Sequence, residues 1–370
     1  MGNKAKTLDQ GRQIISEKLQ KVKISMETFA QKAKEIYGMS EKDLIEALLD
    51  KQTFKEVFLF CHSKMYNLLQ DINTKVKELR GRKLNQLEIE DAITYLNSKK
   101  YELAESRMEV YFCNVISPTR KFVKFWGDAV MKFGTLHVGI LVDDICIQWG
   151  RGIFGESIVQ PSKTVHHDDY IFAIELENLQ VNDLISETFV NIKDYLTNKR
   201  NYENMGTVKA FEIIRQQLDG IAEISVLYNG TKNYNLIAEN CQGFVKAVLK
   251  KIGLQLKKTG EVGKMYKLTE EKAEVFDFTY NNHTFKTRKD LDDFVLKCNF
   301  QNLPEDHRKL LYCFRNVFEY YGRYKTNDDK YKTTEEANNF WKTLIYWEKF
   351  ENSLTFMSDL MDQALNQVQK

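Results

Sequence analysis

Apolar positions in the first hundred residues recur every three or four places, the spacing of amphipathic helices. Ile14, Ile15, Leu19, Val22, Met26 and Phe29 form one such run, and Gly38 is placed to end it. Ser40, with Asp43 three places on, resembles a capping box that opens a second helix through Leu44, Ile45, Leu48 and Leu49. The rhythm continues from Phe54 to Leu79, and a last helical run is predicted from Leu87 to Val115. Between Pro118 and about Gly253 the pattern changes. Leu136–Val142 (LHVGILV) and Ile145–Trp149 (ICIQW) are β-rich and flank Asp143-Asp144, which predicts a tight hairpin. Tyr170–Leu176 predicts a third strand, and helices follow around Leu184–Asn198 and Val208–Leu218. Tyr234–Ile252 reads as an extended lead into an amphipathic helix with Phe244, Val245, Val248, Leu249 and Ile252 on one face.

From about residue 256 the charged stretch KKTGEVGK is a linker candidate. A short extended pair, Phe276–Tyr280 and Thr284–Phe285, brackets an Asn281-Asn282 turn, and a helix begins near Thr287 with Asp290 three places on. A second helix is predicted over Glu305–Tyr321 and a third from Thr334. The stripe Phe340, Trp341, Leu344, Trp347 and Phe350 on that third helix reads as packing, not a cofactor box. The pattern therefore predicts an α+β chain in three parts. These are a helical region over 1–117, a mixed domain over 118–255 with a small antiparallel sheet, and a mainly helical region over 256–370.

Composition narrows the function classes. In 370 residues, Lys+Arg 54 against Asp+Glu 52 leaves a formal charge of +2, which argues against a dedicated nucleic-acid binder. Six cysteines (Cys61, Cys113, Cys146, Cys241, Cys298, Cys313) are scattered without a CxxC pair, so neither a zinc ribbon nor a disulfide framework is predicted. No metal and no cofactor is expected. The opening MGNKAKTLDQGRQ lacks the apolar core of a secretory signal, and no apolar run is long enough to span a bilayer. A cytoplasmic chain is expected. Gly2 follows Met1 as in an acylation site, but Lys6 stands where Ser or Thr is wanted. Lys4–Lys23 is basic, yet Asp9 and Glu17 dilute the charge; membrane association is compatible with the sequence but not implied by it.

Candidate chemistry centres on Asn240-Cys241. Asn240 is a good N-cap, which places Cys241 in a first helical turn, facing unpaired backbone N–H groups and the positive end of the helix dipole. Both favour a thiolate. A thiolate nucleophile needs a proton carrier, and His137 stands apart among six histidines because it lies in a β-run, with Gly139 two places on. Counting back across the Asp143-Asp144 hairpin puts Gln148 on the same face as His137 and Gly139. A glutamine carbonyl can orient an imidazole without supplying charge. His166-His167-Asp168-Asp169 lacks helical metal-ligand spacing and reads as a solvated loop, while Gly150-Arg151-Gly152 has no following Lys-Ser/Thr helix and is no phosphate loop.

Two motifs together resemble the lecithin:retinol acyltransferase family, in the permuted branch of the NlpC-type papain-like thiol hydrolases. One is His137-Val138-Gly139-Ile140-Leu141-Val142 with its acidic turn; the other is Tyr234-Asn235-Leu236-Ile237 leading to Glu239-Asn240-Cys241-Gln242-Gly243-Phe244-Val245. The likeness covers roughly residues 120–253. It implies a permuted papain-like fold with His137 as base and Cys241 as nucleophile, Gln148 at the place where the family commonly carries a second histidine, and oxyanion donors around Asn240 and Gln242. Gly243 stands where the acyltransferases often have histidine, a departure that weighs against lipid acyl transfer more than against thiol chemistry. The implied activity is a cysteine hydrolase or acyltransferase working through a thioester, with a protein or peptide amide favoured over a lipid acyl substrate. The alternatives are a lipid acyltransferase or phospholipase of the same type, and a non-catalytic scaffold whose helical flanks bind a protein partner.

Overall fold

The computed structural model describes residues 7–113, 137–150, 157–162, 170–235, 240–257, 277–324 and 332–341. The chain forms two compact units, Met1–Lys258 and Thr259–Lys370. The first therefore holds both the N-terminal helices and the mixed segment. It is α+β: helices pack with a six-stranded, wholly antiparallel sheet.

Its helical part runs α1 (Leu8–Lys21), α2 (Met26–Tyr37), α3 (Glu41–Leu49), α4 (Lys51–Phe54), a π-helical stretch Lys55–Phe60, α5 (Lys64–Arg80) and α6 (Gln86–Glu105). The first predicted run is two helices, because Lys23 turns left-handed (φ 58) and Ser25 recaps the chain through Thr28 N–H. Gly38 closes α2 in the left-handed region, as its position predicts. Ser63 likewise restarts the chain as α5 by accepting from Tyr66 N–H.

The helix predicted to reach Val115 stops at Glu105. Met108–Cys113 is instead a strand, β1, in which Val110 and Phe112 alternate with Tyr111 and Cys113. β2 (His137–Val142), β3 (Ile145–Trp149), β4 (Val159–Ser162), β5 (Tyr170–Glu177) and β6 (Gln255–Leu256) complete the sheet in the order β4-β3-β2-β1-β5-β6. β1 thus lies at the centre, between β2 and β5. β2 and β3 form the predicted hairpin, and Asp143 (φ 47) takes the left-handed turn position. Asp143 also ties the turn to the helices, its carboxylate accepting from Arg107 N–H and Met65 N–H. Edge strand β4 has its outward groups covered: Tyr37 donates to the Pro161 carbonyl at 2.5 Å and Asn229 Oδ1 accepts from Val159 N–H at 2.6 Å.

Between β5 and β6 come α7 (Leu179–Val190), α8 (Ile192–Leu196), α9 (Gly206–Thr231) and α10 (Cys241–Ile252). α9 runs well past the predicted Leu218 because Gly220, Ala222 and Ser225 let it lie buried among its neighbours. One sheet face is apolar: Val110, Phe112, Val138, Ile140, Val142, Ile145, Ile147 and Trp149 are all buried. Trp149 meets Tyr228 of α9 edge-on at 4.5 Å, and Tyr228 meets Phe244 of α10 at 5.2 Å. Among the described residues no helix is long and apolar enough to cross a membrane.

The second unit contains the predicted hairpin, β7 (Phe278–Tyr280) and β8 (His283–Phe285), with Asn281 and Asn282 both at positive φ. α11 (Arg288–Lys297) starts at Thr287 with a capping box to Asp290, and α12 (Glu305–Tyr324) follows. Residues 335–341 are helical. Of the aromatic stripe, Trp341 is fully buried and packs edge-on against Phe300 at 5.6 Å; Leu344, Trp347 and Phe350 lie outside the described residues.

Candidate active site

The second sheet face is unlike the first. It carries Tyr111 and Cys113 from β1, His137 and Gly139 from β2, Cys146 and Gln148 from β3, and Gln160 from β4, and all the side chains among them are buried. Tyr111, Gly139, Gln148 and Gln160 stand in one row across four strands, each the register partner of the next. Gly139 is what lets the row close. A Cβ there would sit 2.4 Å from the Tyr111 ring and hydroxyl, so its absence allows the phenol to lie over β2 and reach β3. The Tyr111 hydroxyl donates to Gln148 Oε1 at 2.5 Å.

His137 lies one row along, opposite Cys113. Its Nε2 is 3.0 Å from the same Gln148 Oε1. A carbonyl oxygen only accepts, so Nε2 carries the hydrogen and Nδ1 the basic lone pair. Gln148 thus lies on the His137 face, as its hairpin count predicts, with the phenol of Tyr111 as a second donor to its carbonyl. Burial pushes the Tyr111 hydroxyl far up, which keeps it a neutral donor.

Cys241 is the first residue of α10, and Asn240 caps that helix by accepting from Gly243 N–H at 3.0 Å. Asn240's carbonyl also accepts from Phe244 N–H. The Asn240 side chain is therefore a cap that fixes where the helix begins. Phe244, Val245 and Val248 share the buried face of α10 with Cys241, so the helix is held by apolar packing from its first turn. The β2–β3 ladder begins at Gly139–Gln148, and one residue before it the Val138 backbone lies close enough to the Cys241 sulfur to favour its thiolate. The Tyr234 hydroxyl and the backbone N–H groups of Gln242 and Cys241 itself act in the same direction. A helix start alone predicts a lowered thiol. In the fold, burial outweighs these donors and pushes Cys241 up from the ordinary thiol value.

Tyr234 is held by two neighbours: its ring meets Trp149 edge-on at 5.4 Å and lies against Gly150, where a Cβ would come within 2.2 Å. Gly150 is also left-handed at φ 92. Tyr111, Tyr234 and Gln160 are site-face or site-adjacent residues that periodicity does not single out. The alternation in Met108–Cys113 and the two glycines Gly139 and Gly150 are the signals that point toward them. All six cysteines are free thiols. Among the described residues no group of three or more His, Cys, Asp or Glu could hold a metal ion, and His166–Asp169 lie outside those residues. Comparison with protein-family models, with curated proteins and with solved structures finds no match to this chain.

Proposed function

We propose that the protein is a cysteine-dependent hydrolase or acyltransferase of the permuted papain-like type, with Cys241 as nucleophile, His137 as base and Gln148 as the residue that orients the imidazole. The observation that carries this reading is the His137 Nε2–Gln148 Oε1 contact. It sets the tautomer in which Nδ1 is basic, while the Cys241 sulfur sits against the backbone of the next residue, Val138. The order histidine-then-cysteine, the strand-borne base and the cysteine at a capped helix start support the same type.

In the proposed cycle His137 Nδ1 takes the Cys241 proton and the sulfur attacks an acyl carbonyl. The N–H groups of Cys241 and Gln242, at the unpaired start of the helix, stabilise the oxyanion. The imidazolium returns its proton to the leaving amine, giving a thioester, which water or an acceptor then resolves at the same imidazole. Because the resting thiol is raised by burial, it remains a thiol until the base removes its proton, which makes His137 essential. An amide substrate is favoured over a lipid ester.

The test is alkylation by iodoacetamide at neutral pH with site-resolved mass spectrometry. Cys241 is expected to label faster than exposed Cys61, and His137→Ala to slow it by about a hundredfold. In that variant the rate should keep rising with pH beyond the ordinary thiol value of about 8.5. The burial of Cys241 favours a second reading, an interaction scaffold with a structural thiol. Labelling no faster than at Cys61 would select it. Acyl release from phosphatidylcholine vesicles, with no cleavage of peptide amides, would select the lipid alternative.

A further inference from the structure

Gln160 is 1% exposed, yet both its Oε1 and its Nε2 lack a hydrogen-bond partner among the described residues. Leaving a buried amide unpaired costs its desolvation without return, so such a side chain is seldom kept for stability. Its neighbours are informative. Gln160 is the register partner of Gln148, and paired residues across two strands put their side chains on the same face, about 5 Å apart. Gln148 Oε1 already accepts from Tyr111 and His137, so the row leaves Gln160 as its one unpaired polar member. The backbone of β4 holds it firmly, through the Tyr37 hydroxyl on the Pro161 carbonyl and Asn229 on Val159 N–H.

We propose that Gln160 is a specificity-determining residue that reads an amide group of the substrate. A carboxamide offers an acceptor and donors from one planar group, which matches the C=O and N–H of another amide. An ester supplies only the acceptor and leaves Gln160 Oε1 unpaired, so the site discriminates peptide-like from ester-like substrates. β4 lies two strand spacings from β2, about 10 Å, and the Gln160 side chain covers part of that distance, so the amide that is read is a neighbour of the scissile bond and not the scissile bond itself. This inference rests on the thiol chemistry proposed above and adds the substrate class to it.

The experiment compares two irreversible probes on the full chain. One is acetyl-alanyl-alanyl chloromethyl ketone; the other is its analogue with an ester oxygen in place of the inner amide N–H. In each, a carbon–sulfur bond forms at Cys241 and chloride leaves. Wild type should label about tenfold faster with the amide probe. Gln160→Met should lower that ratio to near one while leaving the iodoacetamide rate unchanged, and should melt no lower than wild type. A preference that survives in Gln160→Met overturns the inference, as does equal labelling by the two probes in wild type. A variant that melts lower and loses labelling by both probes assigns Gln160 a structural role and overturns it too. If iodoacetamide labels Cys241 no faster than Cys61, the thiol chemistry itself fails. That outcome is separate from the other three.

Discussion

Two buried polar networks, one in each compact unit, use their hydrogen bonds differently. In the second unit Asp292 is the centre: it accepts from Arg288 Nε at 2.9 Å, Trp341 Nε1 at 2.9 Å and the Thr333 hydroxyl at 2.8 Å. The network is charged, joins α11 to the helical turn at 335–341, and its acceptor is fully engaged. In the first unit Gln148 is the centre of a neutral set, accepting from Tyr111 and His137, with unpaired Gln160 beside it and an uncharged thiol nearby. The first arrangement is what a fold needs to bury a charge. The second is neutral and leaves both polar atoms of the Gln160 amide unsatisfied beside it. The proposed chemistry and this charged network thus fall in different units.

That contrast can be broken experimentally, and the largest effect should come from Asp292→Asn. It strands the buried Arg288 guanidinium and is expected to cost about 3–5 kcal/mol in chemical denaturation of the second unit. Cys241 labelling should be unchanged; a parallel loss of labelling would erase the division between the networks. Next is Gly139→Ala. Its methyl group meets the Tyr111 ring, so the phenol must leave Gln148, at about 1–3 kcal/mol and with slower Cys241 alkylation. An unchanged alkylation rate would show that Tyr111 does not support the Gln148–His137 pair.

A third measurement sharpens the account of the first unit's helical frame. Burial pushes the Asp219 carboxyl up, but hydrogen bonds from Lys55 and Lys51 outweigh it and leave Asp219 below the usual carboxylate range. A lowered folded-state carboxyl contributes stability above its unfolded value, near 3.9, and loses it as pH falls through the folded value. Asp219→Asn should therefore cost about 1–2 kcal/mol at neutral pH, because Lys55 is left buried, and the difference should shrink in acid. A difference that grows on acidification would contradict this sign. The smallest effect is expected for Tyr111→Phe, which removes one of two donors to Gln148 and leaves His137 in place. A loss of about 1 kcal/mol with labelling slowed only a few-fold is anticipated from thermal unfolding and alkylation together.

Much of the site was legible because its signals are local. Asp143-Asp144 between two apolar runs predicts the β2–β3 hairpin, and a period of two then carries His137 and Gln148 to one face. Asn240 predicts where α10 begins, and with it the place of Cys241 at the first turn. Asn281-Asn282 and Thr287 with Asp290 predict the turn and the cap in the second unit for the same reason. Met108–Cys113 was harder to read. It follows a long helix, and its six residues are hidden in a run whose helical rhythm continues up to Leu103.

Each of these local features depends on groups within a few residues of one another, so the sequence by itself determined them: caps, turns, strand faces and the α+β class. Only the tertiary structure decided that β1 enters the centre of the sheet. From that follow the reach of Tyr111 over Gly139 and the row that ends in Gln160. It also decided the state of the thiol. The helix start and its N–H groups are written locally at Asn240-Cys241, but the burial that outweighs them comes from packing on strands a hundred residues away. Desolvation and strand order are properties of the whole packed chain, and no short window of sequence contains them.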